Sequence, residues 1–256
     1  MTNETPVVLY ASDGGIATLT LNRPEKRNAL NDSIIEQLKS LLLKANDDSS
    51  IRAIIITGAG KDFCSGADLS ALQKIAEGSV AANVEDAQSL LESFTLIRSV
   101  TVPVIAAVRG RALAGGCGLA SACDLVLASA DARFGYPEVK IGFVPAMVMA
   151  ILRRNVSEKR AFELITRGAE ISAEQAMAFG LVNQVFADES FDTDVRAYTS
   201  EFEKMSASAM GLTKTLLYQM DNLAFPEALE TGADVNVIAR LTEDCQKKVG
   251  EFLSRG

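Results

Sequence analysis

Short, almost continuous apolar runs between polar turns are the clearest pattern along the chain. They cover residues 51–57, 102–108 and 124–128. A run without polar alternation is typical of a strand buried on both faces, as in a parallel sheet covered by helices. Residues 16–21 form a further predicted strand, which ends at Asn22-Arg23-Pro24. The pattern therefore predicts an α/β fold.

Helical spacing fills much of the remaining chain. Asn31 is a predicted N-cap, and the helix after it buries one apolar face, formed by Ile34, Ile35, Leu38, Leu41 and Leu42. Residues 70–100 are predicted to be largely helical, with a break near 78–83. After about residue 195, glycine becomes rare and helical spacing dominates. We interpret residues 1–195 as the core and 196–256 as a helical region that covers it or meets another subunit.

The amino-acid composition argues against several classes of function. The chain has 256 residues, a net charge of −8 and 48% hydrophobic residues, which predicts a globular protein that repels nucleic acid and anionic membranes. Residues 1–8 lack the basic and apolar regions of a signal peptide, and no stretch predicts a membrane span. The four cysteines show no disulfide or metal-binding spacing, so we expect a cytoplasmic protein without a metal. Because histidine is absent, a Ser-His-Asp or Cys-His triad is excluded.

Three motifs carry the candidate chemistry. Residues 63–69 and 112–119 are glycine-rich loops, each following a predicted buried strand and opening a helix. Their backbone N–H groups are candidates for binding a developing negative charge, although a tight turn or a packing contact explains each loop taken singly. The third motif, residues 134–142, carries Glu138 between a proline and apolar residues, where a carboxylate can act as a base. The alternative there is a surface glutamate paired with Lys140.

Together, two donor loops and one carboxylate suit the stabilisation of a thioester enolate and the movement of its α-proton. The order and spacing of the three motifs resemble the crotonase (enoyl-CoA hydratase/isomerase) family. Further matches lie at residues 21–31, 56–60, 122–124 and 176–183, so the resemblance covers about residues 7 to 250. It implies a spiral of strand-strand-helix repeats followed by a helical trimerisation region, and a homotrimer or dimer of trimers.

The resemblance also assigns roles to residues. It implies Glu138 as the catalytic carboxylate and the backbone N–H groups of Ser65 and Gly115 as the oxyanion hole. It implies acyl-CoA binding by a set of residues in these loops and near the N-terminus: Lys26, Ser65, Gly66, Ala67, Asp68 and Gly115. Arg27 is a further candidate for the phosphates. No resident cofactor is expected, since coenzyme A is part of the substrate.

Gly118 is the most informative departure from the family. Hydratases of the family carry a glutamate there, and two carboxylates hold the water that adds to the double bond. A subset with a single glutamate at the Glu138 position consists of Δ3,Δ2-enoyl-CoA isomerases. We therefore expect an isomerase. One alternative is a hydratase, including the branched-chain or methylglutaconyl type, in which another group replaces the lost acid; the candidates are Tyr136, Glu85, Asp86 and Glu92. The other alternative is a CoA-binding assembly protein with little catalysis.

The acyl end of the substrate is less defined by the sequence. Bulky apolar residues follow the third motif, and they predict either an unusually shaped acyl pocket or ordinary core: Phe143, Val144, Met147, Val148 and Met149.

Overall fold

The computed structural model describes residues 6–254. Residues 1–5, on which the expectation of a missing signal peptide partly rests, and residues 255–256 lie outside the described range. The strands in chain order are β1 (Val8–Asp13), β2 (Ile16–Leu21), β3 (Ala53–Gly58), β4 (Val104–Val108), β5 (Arg111–Leu113), β6 (Leu125–Ser129), β7 (Arg133–Gly135), β8 (Glu170–Ser172) and β9 (Gln184–Phe186).

These strands form two sheets. The larger sheet has the order β1-β2-β3-β4-β6-β9; β1 pairs with β2 in antiparallel register and the following pairs are parallel. The smaller sheet has the order β5-β7-β8. The predicted strands at 51–57, 102–108 and 124–128 are confirmed as β3, β4 and β6, because their apolar side chains are covered by packed elements on both faces.

Helices surround the two sheets. They are α1 (Asp32–Asp47), α2 (Leu69–Glu77), α3 (Val80–Ser99), α4 (Gly115–Ala122), α5 (Ala146–Asn155), α6 (Glu158–Arg167), α7 (Ala173–Phe179), α8 (Phe191–Ser200), α9 (Ala207–Gln219), α10 (Phe225–Leu241) and α11 (Glu243–Leu253). The predicted cap of α1 is confirmed, since Asn31 Oδ1 accepts from the Ile34 N–H at 3.0 Å. The predicted break in residues 70–100 lies at Gly78, between α2 and α3.

The chain winds as a spiral. After β3 and after β4, it places a short extended segment in a second layer before a helix follows. Cys64 bridges Ala112 in β5, and β5 in turn pairs with β7. Leu30, which follows β2, bridges Ala67 in the same way. The expected strand-strand-helix repeat is therefore confirmed, and it gathers the loops that follow the parallel strands at one edge of the large sheet.

The C-terminal region is helical, as predicted, from α8 through α11. Helix α9 is anchored to the core by the buried Lys214, whose Nζ donates to Ile97 O (2.8 Å) and Val102 O (3.0 Å) and pairs with Asp124 (2.7 Å). Burial lowers the pKa of this ammonium group. The domain boundary near residue 195 stays a prediction. Within residues 6–254, we find no helix that is both long and apolar enough to cross a membrane.

Candidate active site

Three of the predicted loops are joined by backbone hydrogen bonds. Leu113 N–H donates to Cys64 O at 2.9 Å, and Ala114 N–H donates to Gly135 O at 2.8 Å. Gly66 lies against the second loop so closely that a Cβ built on it would be 2.8 Å from Ala114 Cβ. The first loop, the second loop and the strand that leads to Glu138 therefore form one unit.

The peptide group between Gly66 and Ala67 presents a free donor. Gly66 O accepts from the Leu30 N–H at 2.7 Å. Because a trans peptide is planar, the Ala67 N–H of the same group points the opposite way. This N–H has no acceptor among the described residues, and Ala67 is exposed. It is an unpaired donor at an accessible position, as binding of an oxyanion requires.

The peptide group between Ala114 and Gly115 is built in the same way. Ala114 O accepts from the Gly118 N–H at 2.9 Å, so the Gly115 N–H points out of the N-terminus of α4. Ala114 has φ 50° and ψ −126°, a positive-φ conformation that is rare for a residue with a Cβ. No acceptor for the Gly115 N–H occurs in residues 6–254. The prediction of Gly115 as a donor is compatible with this geometry.

Ser65 requires a correction. Its N–H donates to Arg27 O at 3.1 Å, and the carbonyl of the same peptide group, Cys64 O, accepts from Leu113 N–H. Both polar groups of this peptide are thus used inside the fold. The prediction that the Ser65 N–H is an oxyanion-hole donor therefore fails on geometry, and the Ala67 N–H, two residues later, is the free group.

Glu138 lies on a 3-10 turn, Pro137–Ile141, directly after β7. The side chain is half-buried, and Oε2 is buried without a hydrogen-bond partner in the described part of the chain. Burial raises the pKa of this carboxyl group above its ordinary value. An unpaired, partly desolvated carboxylate on the same unit as two free donors has the properties of a general base.

The space at Gly118 is filled by apolar side chains. A Cβ built on Gly118 would overlap Val148 Cγ1 of α5 and lie 3.3 Å from Phe94 Cζ of α3. Both residues are buried, with Val148 only 5% and Phe94 only 3% exposed. Gly118 is therefore closely packed against Val148, and a longer side chain at position 118 would need the Val148 side chain to be removed.

The groups considered as substitutes for the second acid lie elsewhere or are already bonded. Tyr136 is 1% exposed and its hydroxyl is bonded to Ser121 Oγ at 2.9 Å. Burial raises its pKa well above the ordinary value, so it does not ionise readily. Glu92 is paired with Lys39 at 3.0 Å. Glu85 and Asp86 lie in the second turn of α3, with no hydrogen bond to the loops among the described residues.

The apolar residues after the third motif divide into two groups. Val148 is buried and Met147 is packed against the core. By contrast, Phe143, Val144 and Met149 have exposed side chains. Ordinary core packing thus accounts for the first two, whereas the other three are exposed apolar side chains that follow Glu138 in the chain.

The candidate CoA-binding residues lie on three linked segments: residues 26–27, residues 65–68 and Gly115. Lys26 and Arg27 are exposed cations at the end of the 3-10 turn Pro24–Lys26. Asp68 is buried and pairs with Arg23 at 2.7 Å, while its backbone N–H donates to Leu30 O. Arg23 was not predicted to be a functional residue, although it lies in segment 21–31, which resembles the family.

No metal centre is apparent in this site, since residues 6–254 contain no group of three or more His, Cys, Asp and Glu side chains arranged to hold an ion. The arrangement consists of two free backbone N–H groups and one unpaired carboxylate. It suits the stabilisation of negative charge on a carbonyl oxygen together with the transfer of a neighbouring proton.

Comparison with known proteins gives one consistent result. The model of the enoyl-CoA hydratase/isomerase family matches residues 11–256. A putative enoyl-CoA hydratase of Thermus thermophilus is 37% identical over 97% of this chain and 98% of its own length. The 2,3-dehydroadipyl-CoA hydratase of Escherichia coli is 35% identical over 94% of this chain and 92% of its own. Among solved structures, an enoyl-CoA hydratase of Mycobacterium smegmatis aligns with a TM-score of 0.93 and 31% identity, covering 98% of this chain and 97% of the other.

Proposed function

Because this chain belongs to the enoyl-CoA hydratase/isomerase family, we propose that it processes enoyl-CoA substrates by proton transfer through one carboxylate, with double-bond isomerisation as its main reaction. In this proposal Glu138 removes a proton from C2 of a 3-enoyl-CoA. The N–H groups of Ala67 and Gly115 bind the thioester oxygen as it becomes negative. Glu138 then returns the proton to C4, which moves the double bond to C2–C3.

The observation that carries the proposal is the packing at Gly118. Val148 and Phe94 occupy the space in which family hydratases carry a second glutamate. A hydratase holds the reacting water between two carboxylates. Here the second carboxylate is absent, and apolar side chains fill the space at Gly118. Loss of one acid–base group typically lowers a rate by about 10²–10⁴-fold, so ordinary hydration is expected to be slow.

Hydration is the second candidate function, because the relatives at 35–37% identity carry hydratase names. Hydration requires a replacement for the missing acid. The hydroxyl of Tyr136 is a poor candidate, because it is buried and hydrogen-bonded to Ser121. A third possibility, CoA binding with little catalysis, does not explain why Glu138 Oε2 lies buried and unpaired.

The proposal is tested by giving the protein a 3-enoyl-CoA and a 2-enoyl-CoA in separate reactions. The position of the double bond and the addition of water are followed in each. We expect consumption of the 3-enoyl-CoA with formation of the 2-enoyl-CoA, and only slow hydration of the latter. Fast hydration without isomerisation would favour the second candidate.

The rate should depend on pH through Glu138. The group acts as a base only when ionised, and burial raises its pKa. The acidic limb of kcat/KM is therefore expected at a higher pH than the ordinary glutamate value of about 4.3. A profile measured from pH 4 to pH 9, with the melting temperature recorded at each point, checks this. If kcat/KM stayed constant down to a pH of about 4.3, the ordinary pKa of glutamate, Glu138 would not be the base.

We also propose that the protein assembles as a homotrimer or a dimer of trimers. Every residue of α10 is exposed or half-buried, and large apolar side chains on it and on α11 face solvent in the single chain: Phe225, Leu229, Val237, Leu241, Val249 and Phe252. A second copy of the chain would cover such a surface. Sedimentation should give the mass of three or six chains of 27.3 kDa; a monomer at micromolar concentration would contradict this.

A further inference from the structure

We propose that Arg23 is a positioning residue that holds the Ala67 N–H in the orientation needed to bind the thioester oxygen; this inference rests on the proposed function. Arg23 does not touch the reacting atoms. It acts on the peptide group of Ala67 through Asp68 and the neighbouring strand.

Arg23 connects both sides of the Leu30–Ala67 bridge. One nitrogen, Nη2, pairs with Asp68 Oδ2 at 2.7 Å, and the other, Nη1, donates to Ala29 O at 2.9 Å. The remaining carboxylate oxygen of Asp68 accepts from the Ser70 N–H at 3.0 Å, which caps α2. Asp68 is the residue after Ala67, and Ala29 is the residue before Leu30, so the guanidinium ties together the two segments that set the donor.

The bridge determines where the Ala67 N–H points. Leu30 N–H donates to Gly66 O and Leu30 O accepts from the Asp68 N–H at 3.0 Å. These two bonds hold the peptide groups on either side of the Ala67 Cα. If the segments separate or slide, Gly66 O loses its partner and the Ala67 N–H is free to rotate away from the site.

The Arg23–Asp68 ion pair is stronger than an ordinary surface ion pair, because both side chains are largely buried. The side chains of Arg23 and Asp68 are only 15% and 7% exposed. The Ser70 N–H and the Arg23 guanidinium lower the pKa of Asp68 to about 2, so its carboxylate is charged at neutral pH. A planar guanidinium reaches two acceptors at fixed angles, whereas an ammonium group is a single point charge.

The test uses Arg23→Lys, with Arg196→Lys as the matched control. Arg196 pairs with Asp13, whose side chain is 90% exposed, at a distant surface turn. The readouts are kcat, KM, the melting temperature and the infrared carbonyl frequency of a bound acyl-CoA labelled with ¹³C at the thioester. Two well-placed N–H donors shift this frequency to lower values.

For Arg23→Lys we expect a fall in kcat of about 10-fold, part of the 10²–10³-fold loss typical of removing a whole oxyanion donor, with KM changed by less than about twofold. The carbonyl shift should become smaller in the same variant, and Arg196→Lys should change neither. A lower melting temperature with an unchanged carbonyl shift and kcat would overturn the proposal, because Arg23 would then be merely structural. If the wild-type protein shifts no carbonyl frequency, the proposed function itself fails, and this inference fails with it.

Discussion

Replacement of Glu138 by Gln should lower kcat for enoyl-CoA isomerisation by about 10²–10⁴-fold. The amide keeps the size and polarity of the side chain but cannot accept the α-proton. KM should change little, because binding of the thioester is attributed to backbone N–H groups. Steady-state kinetics with a 3-enoyl-CoA, followed at the conjugated product, gives both constants.

The same variant makes a separate prediction about stability. An acid whose pKa is raised in the folded state stabilises the fold at low pH, and this contribution is lost as the pH rises through the folded-state pKa. Glu138 is such a group. Glu138→Gln should therefore melt at the same temperature as the wild type or higher at neutral pH. Loss of activity with a lower melting temperature would indicate damage to the fold, and unchanged turnover in a folded variant would exclude Glu138 as the base.

Restoring a second carboxylate should increase hydration, provided that space is made for it. Gly118→Glu alone should destabilise the protein by about 1–3 kcal/mol or prevent folding, because its Cβ overlaps Val148 Cγ1. In Gly118→Glu/Val148→Ala the obstructing methyl groups are absent. We expect this double variant to hydrate a 2-enoyl-CoA about 10²-fold faster than Val148→Ala. Product analysis of 3-hydroxyacyl-CoA measures the gain.

Two control variants distinguish the effect of the added carboxylate from the effect of the space made for it. Val148→Ala alone opens a cavity without adding an acid, and Gly118→Gln/Val148→Ala fills it with an amide that cannot ionise. Neither should gain hydration. If the folded double variant with glutamate hydrates no faster than its glutamine counterpart, the missing carboxylate is not what limits hydration in this protein.

Elements that are marked by a pattern of neighbouring residues could be predicted from the sequence alone. The apolar runs identified β3 and β4, and the Asn31 cap with its apolar stripe identified α1. Residues 112–119 were predicted as a glycine-rich loop that opens a helix, whereas α4 already begins within it, at Gly115. Its first turn contains glycines and Cys117, which carry no helical pattern, and its N-cap residue Ala114 makes no side-chain capping bond.

The details of the site depended on contacts between distant segments. Ser65 and Ala67 are two residues apart in one loop, and which of their N–H groups is free is decided by pairing with Arg27 and Leu30. Nothing local distinguishes them. The sequence also marked Gly118 as a departure, but the filling of its space by Val148 depends on the packing of α4 against α5. Motif order thus pointed to Glu138, the proposed catalytic carboxylate, whereas the backbone pairing was needed to tell which N–H groups are free.

In the proposed reaction, one carboxylate moves a proton within an acyl-CoA, and this isomerisation adds no water. The most direct test is turnover of a 3-enoyl-CoA deuterated at C2, in water enriched with ¹⁸O, with the product followed by mass spectrometry and NMR. We expect a 2-enoyl-CoA without ¹⁸O, formed more slowly than from the unlabelled substrate. One deuterium should remain at C2, and the abstracted deuterium, where it has not exchanged with solvent, should be found at C4. An unconsumed 3-enoyl-CoA, together with rapid conversion of a 2-enoyl-CoA to an ¹⁸O-labelled 3-hydroxyacyl-CoA, would contradict isomerisation by a single carboxylate.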